Sequence, residues 1–316
     1  MKKYILKRLM IAVPVLFMVS IFSFVIINLA PGNPVDLYVA PDATAEQIEA
    51  TKTALGLDQP LPVQYIKWIT NLLQGNLGFS YSTRQPVAAI LFSRVSPTLQ
   101  LMGISLAVGY LVAIPLGIYS AVKKNTWVDY LITSNSFLGV SVPNFFLGLG
   151  LIYIFSLQLA WLPTGGMQVL GGDGGVLERI QHLVLPVIVL ATSISGNMIR
   201  YVRSSMIDVL GENYLRTATA KGLKARDILT KHGLRNALIP IITIIGMDIP
   251  KLIGGAVVTE QIFQWPGLGQ LMITSINSRD YPVLMAITLL SAVAVMAANI
   301  STDILYAVVD PRIKYD

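Results

Sequence analysis

Cysteine is missing from all 316 residues, so neither a disulfide framework nor a thiolate metal site can be built. Histidine is nearly missing. His182 and His232 stand far apart in the sequence and make no metal-ligand pattern. No HExxH, GxSxG or GxxxxGK[ST] run is present, which removes the commonest metalloprotease, hydrolase and nucleotide-loop readings. Charge is also scarce, at 13% of residues against roughly 25% in ordinary soluble domains.

Apolar residues fill the space these absences leave. They make up 54% of the chain, and the mean hydropathy of +0.65 exceeds what one water-surrounded core can hide. The surplus must face lipid. A helical span needs about 20 mostly apolar residues, because hydrocarbon satisfies no backbone group. Intervals between charges predict six spans, at 9–30, 97–121, 130–159, 182–199, 237–258 and 282–309. The first is longer than the core of a signal peptide and ends in a poor cleavage site, so it reads as a retained anchor. Pro143 should kink or break the third.

Net charge is +6, and its placement explains it. Sixteen Lys and Arg residues fall on the side of the N-terminus, at 2–8, 123–124, 200–235 and 312–314. Lys52, Lys67, Arg84, Arg94, Arg179 and Arg279 fall on the other side, and Lys251 lies within a span. The positive-inside rule then places both termini in the cytoplasm, and nucleic acid is not needed to account for the basic balance.

Two connections are long. In the outer one, Thr44 and Gln47 form a capping-box pattern, Gly56 stops a short helix, and Pro62 opens a second that ends at Gly75. A third short helix is predicted over 86–94. The run from Gly171 to Gly175 is glycine-rich but lacks the Lys-Ser/Thr of a phosphate loop, and reads as a flexible connection. In the inner connection, 214–223 and 225–238 read as two short helices, with Gly222 permitting a sharp reversal. Two readings stand for this segment: a helix laid into a groove of a soluble partner, or a basic patch drawn to anionic lipid.

Asp248, Lys251 and Asp303 lie within spans. A charge at mid-membrane costs at least about 2.5–3.5 kcal/mol on insertion scales, so these groups should face protein or water. Asp248 and Lys251 share a helix face three residues apart. They read either as a structural ion pair or as polar lining, to which Asn135, Ser136, Asn144 and Asn197 could contribute. Trp161 and Trp265 fit an interfacial aromatic belt.

The stretch Arg216-Thr217-Ala218-Thr219-Ala220-Lys221-Gly222-Leu223, followed by Lys231-His232-Gly233-Leu234-Arg235-Asn236-Ala237-Leu238-Ile239-Pro240, resembles the cytoplasmic loop of permease subunits of binding-protein-dependent ABC importers. The nearest branch is that of oligopeptide, dipeptide and nickel permeases. Arg216 and Thr217 replace the Glu and Ala of the general family pattern, as they do in peptide permeases. The runs 30–34, 55–65, 75–80, 259–269 and 310–312 resemble further segments of that branch, in the same order.

The resemblance implies an all-α integral membrane protein with a six-helix, type I importer bundle and a small extracytoplasmic subdomain. The divisions would be 1–30 for the N-terminus and first span, 31–96 for the subdomain, 97–309 for the core with a coupling loop at 204–236, and 310–316 for a cytoplasmic tail. It implies a non-catalytic, multi-pass subunit of the cytoplasmic membrane that imports peptides, with nickel as the alternative substrate. Arg216, Thr217, Ala218, Lys221, Gly222, Leu223 and Arg226 would engage an ATPase. Thr259, Glu260, Phe263, Trp265, Pro266 and Gly267 would form an outer loop or gate. The chain itself would hold no cofactor and no metal. ATP and Mg would be bound by two cytoplasmic ATPase subunits, beside a second homologous permease chain and an extracytoplasmic binding protein. An ion-coupled transporter working alone, with Asp248 and Asp303 as its acids, is the rival. A membrane-embedded enzyme is a further one, and it lacks a convergent catalytic set.

Overall fold

A computed structural model describes residues 2–29, 35, 39, 43–169, 171, 174–224, 227–254 and 256–309. The expected motifs at 30–34 and 310–312, and Arg226, lie outside the described residues. The elements are helical throughout: α1 (Lys2–Leu29), α2 (Ala45–Leu55), α3 (Leu61–Leu73), α4 (Val87–Val122), α5 (Trp127–Ser141), α6 (Asn144–Leu151), α7 (Val176–Leu210), α8 (Asn213–Ala220), α9 (Arg235–Asp248), α10 (Lys251–Gly254), α11 (Val257–Ile262), α12 (Leu268–Asn277) and α13 (Tyr281–Val309). Wider π turns continue α6 over Ile152–Gln158 and precede α9 over Ile228–Leu234.

Among the described residues four helices are long and apolar enough to cross a membrane: α1 from Lys7, α4, α7, and α13 as far as Asp303. The pair α5–α6 makes a fifth if it is counted as one span, bent by 97°. Pro143 sits at that bend as the residue before α6. It has no N–H to continue the ladder of α5, as its sequence position suggested.

The expected fifth span, 237–258, is not one helix. Its 14-residue stretch α9 ends at Asp248, and a four-residue turn follows at α10. At about 1.5 Å per residue α9 covers ~21 Å, short of the ~30 Å hydrocarbon core. Pro250 lies in the gap and removes a donor from any continuing helix. Broken backbone of this kind is tolerated in a membrane protein where it lines a cavity.

Two other boundaries move. The short helix expected at 86–94 is the opening of α4, which runs on through Pro97 and Pro115. The fourth span extends well past 182–199 at both ends, as α7. The capping box at Thr44 and Gln47 forms as expected, with Gly56 left-handed at the other end of α2.

In lipid, helices associate through close packing, because hydrocarbon is as apolar as a leucine side chain. The main contact, α4 against α7, follows that rule. A Cβ on Gly117 would come within 2.6 Å of Val202, and one on Gly196 within 2.6 Å of the Ser136 carbonyl of α5. Ala113, Met198, Ile199, Val202, Met206 and Ile241 fill the seam between α4, α7 and α9. The outward face is apolar: Val13 is 69% exposed, Ile26 66% and Leu111 74%. Such a belt is lipid surface.

Candidate functional site: a cavity at a broken helix and an exposed loop helix

A cavity of about 1040 Å³ opens between α7 and the α9–α10 break. Ser193, Asn197 and Tyr201 of α7 line it at intervals of four residues, hence on one helix face. Asn144 enters from the start of α6, and Asp248 and Lys251 from the two sides of the break. Asp248 is held on both oxygens. Lys251 Nζ lies 2.6 Å from Oδ1, and the Tyr110 hydroxyl of α4 donates to Oδ2 at 2.7 Å. The Lys251 side chain is 61% exposed, against 13% for Asp248. The carboxylate is thus anchored, while the ammonium stays accessible to the cavity.

The third intramembrane candidate is elsewhere. Asp303 pairs with Arg8 at 3.0 Å and ties α13 to α1. Of the neutral residues, Asn144 and Asn197 line the cavity. Asn135 and Ser136 instead bond back to carbonyls of their own helix.

α7 runs from beside this cavity to the connection that carries α8. At 1.5 Å per residue its 35 residues span about 52 Å. α8 follows after a two-residue turn and seats Leu215 and Ala218 against Ile228, Val209 and Leu210. Arg216, Thr217, Lys221, Gly222 and Leu223 are all exposed, so α8 hides one narrow side and presents the rest. Ala218 belongs to the hidden side. Gly222 has φ 77°, and an added Cβ there would meet nothing within 4 Å. The residue is therefore required within this chain by its left-handed turn and not by crowding. Gly222→Val should strain that turn by about 1 kcal/mol or more, and limited proteolysis of 211–227 should accelerate.

The 259–269 segment is a weld. Glu260 is fully buried and accepts from the Thr98 hydroxyl at 2.8 Å, the Gly269 N–H at 2.7 Å and the Gln270 N–H at 3.1 Å. It thereby caps the N-terminus of α12 and ties it to α4. A Cβ on Gly267 would stand 2.4 Å from the carboxylate, so only glycine leaves room. Trp265 is fully buried, with its indole N–H donating to the Pro97 carbonyl at 2.9 Å. It is not part of an interfacial belt. Trp161, at 67% exposure, remains compatible with one. Phe263 packs on Leu185 and Val189 of α7. Thr259 is buried, and Pro266 lies between these anchors. His182 is also buried, with Nδ1 2.9 Å from the Gly165 carbonyl.

Burial pushes the Glu260 carboxyl above its ordinary value of 4.5, although its hydrogen bonds oppose the shift. A carboxyl raised in the folded state favours folding most below its unfolded value. That contribution declines as pH climbs through the raised folded value. Thermal stability in detergent should accordingly fall across that interval, and Glu260→Gln should flatten the fall. Glu260→Ala should cost about 1–3 kcal/mol at all pH values for each donor stranded.

Sequence reasoning missed a buried polar junction. Asp129, buried in the first turn of α5, takes two bonds from Arg203 of α7, Nε and Nη2 each at 2.7 Å. It also accepts from the Ser120 hydroxyl and, at 2.9 Å, the Asn125 N–H. One carboxylate thereby fastens the α4–α5 loop to α7. The available clue was a lone acid just beyond Lys123 and Lys124.

These features define a class: a polytopic membrane protein with a cavity beside a broken helix, its long helix joined to an exposed loop helix. Family models describing the binding-protein-dependent transport system inner membrane component and its N-terminal part match residues 113–315 and 1–102. The chain belongs to this family of permease components. It is 47% identical over 316 residues to the oligopeptide transport system permease protein AppB of Bacillus subtilis, covering all of both chains. It is 41% identical over 315 residues to the glutathione transport system permease protein GsiC of Escherichia coli K12, again covering all of both. Among solved structures it is similar to the MetNI methionine ABC transporter in inward-facing conformations, with a TM-score of 0.58 and 16% identity over 71% of this chain and 97% of that one. An amino acid ABC transporter gives a TM-score of 0.52 at 16% identity, over 69% of this chain and 94% of that one. At such identities these structures speak for the fold alone.

Proposed function

We propose that this chain is the permease subunit of an ATP-driven peptide importer, forming half of the passage through the cytoplasmic membrane with both termini inside. The observation that carries the reading is the cavity beside Asp248 and Lys251. It is open and broken-backed, and it sets Asn144, Asn197, Asp248 and Lys251 in a largely apolar wall, as one side of an alternating-access path could. A second permease chain would supply the facing wall. The full-length relatives whose names specify oligopeptide and glutathione transport support peptide as the cargo.

Lys251 is the group on this wall suited to a peptide carboxylate, since its own partner is already shared with Tyr110. The exposed face of α8 would seat in one of two ATPase subunits, which would bind ATP and Mg, and a binding protein would deliver cargo from outside. The 31–96 region, read as an extracytoplasmic subdomain, would meet that delivery. Motion of α8 would pass to the cavity along α7.

Reconstitution with partner permease, ATPases and binding protein tests this. Peptide uptake should require ATP and ignore an imposed ion gradient. Uptake driven by a proton or sodium gradient without ATP would overturn it. Lys251→Met should raise the peptide KM about tenfold, the worth of one charge-assisted hydrogen bond, and Lys251→Arg should restore most of it. An unchanged KM would remove Lys251 from the path.

A further inference from the structure

α3 has two apolar sides, and among the described residues one of them packs on α1. Tyr65 turns toward α1, with the Trp68 ring beside it at 6.0 Å. The Tyr65 ring packs edge-on against Phe17 and Phe24 of α1, and its hydroxyl lies 2.8 Å from Ser20 Oγ. The second side carries Pro62, Ile66, Ile69 and Leu73, spaced along one flank. Ile66 is 60% exposed and Leu73 83%. Ser20 lies nine residues before Leu29, the last described residue of α1. That places it about 13 Å below the end of that helix at 1.5 Å per residue. A tyrosine side chain cannot bridge such a depth from a helix standing in water above the membrane. Phe22, Val25 and Ile26 of α1 are likewise exposed apolar side chains.

The polar flank of α3 borders a separate pocket of about 600 Å³, walled by Phe24 and Asn28 of α1, Lys67 and Asn71 of α3, Arg84, and the start of α13. Neither Lys67 nor Arg84 has an ion-pair partner among the described residues. Two cations that line one pocket beside an exposed apolar helix flank complement a phosphate.

We propose that α3 lies embedded in the membrane leaflet on its side of the bundle, and that this pocket takes the phosphate of a phospholipid headgroup between Lys67 and Arg84. The lipid is thereby a fixed part of the wall between α1, α3 and α13. The proposal concerns the lipid face and is independent of what the chain transports.

Because the chain has no cysteine, single spin labels test depth directly in the full chain reconstituted into phosphatidylethanolamine–phosphatidylglycerol vesicles. Labels at Ile66→Cys and Leu73→Cys should relax with oxygen and be shielded from an aqueous nickel chelate. A label at Glu49→Cys on α2 should do the reverse. Equal chelate access at 49, 66 and 73 would overturn the embedding. For the pocket, phosphatidylglycerol with a photoactivatable headgroup should crosslink within 64–84, and Lys67→Gln with Arg84→Gln should reduce capture at least fivefold. Unchanged capture by that variant, or displacement of the lipid by excess inorganic phosphate, would overturn the headgroup site.

Discussion

Reversing both charges on the open side of α8, Arg216→Glu together with Lys221→Glu, should cut ATP-dependent uptake by at least about tenfold while the chain still inserts and melts normally. Both side chains are exposed, and neither contributes to the small cluster of Leu215, Ala218 and Ile228 that holds the helix. Surface substitutions of that kind usually change stability by no more than about 0.5 kcal/mol. Like-charge contacts across an interface cost several kcal/mol, so a docked partner should feel the change far more than the fold does. Crosslinking from Thr217→Cys to an ATPase subunit should disappear in the same variant. Leu215→Asp provides the contrast: it should loosen α8 itself, lower the melting temperature and lose docking as a consequence. Uptake at the normal rate by the double reversal would remove α8 from the coupling path.

The second large effect is expected at the Asp129 junction. Asp129→Ala should destabilise the chain by about 3–5 kcal/mol, because it strands a partly buried guanidinium. It also leaves the Ser120 hydroxyl and Asn125 N–H without their acceptor. Adding Arg203→Leu should recover part of that loss, since an apolar pair avoids the uncompensated charge. Thermal unfolding of the purified chain in detergent measures both. Additive losses in the double variant would mean that the two residues act separately, contrary to their paired geometry. As Asp129 fastens the α4–α5 loop to α7, the single variant should also weaken the response of uptake to ATP.

Several features were legible from local chemistry. The capping box at Thr44, the stop at Gly56, the break at Pro143 and the reversal at Gly222 each depend on a few adjacent residues, and each appears in the structure. The pairing of Asp248 with Lys251 was legible for the same reason, three residues being one turn. The second bond to Asp248, from Tyr110, was not, since it crosses from another helix. The 259–269 run stood out as a pattern, but its work was hidden. Glu260 caps α12 and Trp265 reaches Pro97, contacts that no spacing within the run can reveal.

Composition alone determined that this chain lives in a membrane and located most of the long apolar stretches that can cross it. Those properties follow from the cost of moving each residue between water and hydrocarbon, which depends on the residue and its neighbours in sequence. Tertiary structure decided the rest: that 237–258 is broken around a cavity, that Asp303 belongs to Arg8, and that Asp129 and Arg203 join distant helices. A charge inside a bilayer needs a partner, but the partner's identity is set by which helices pack together. That choice is made by small residues and shape along whole helices, a property of pairs of surfaces and not of any single segment.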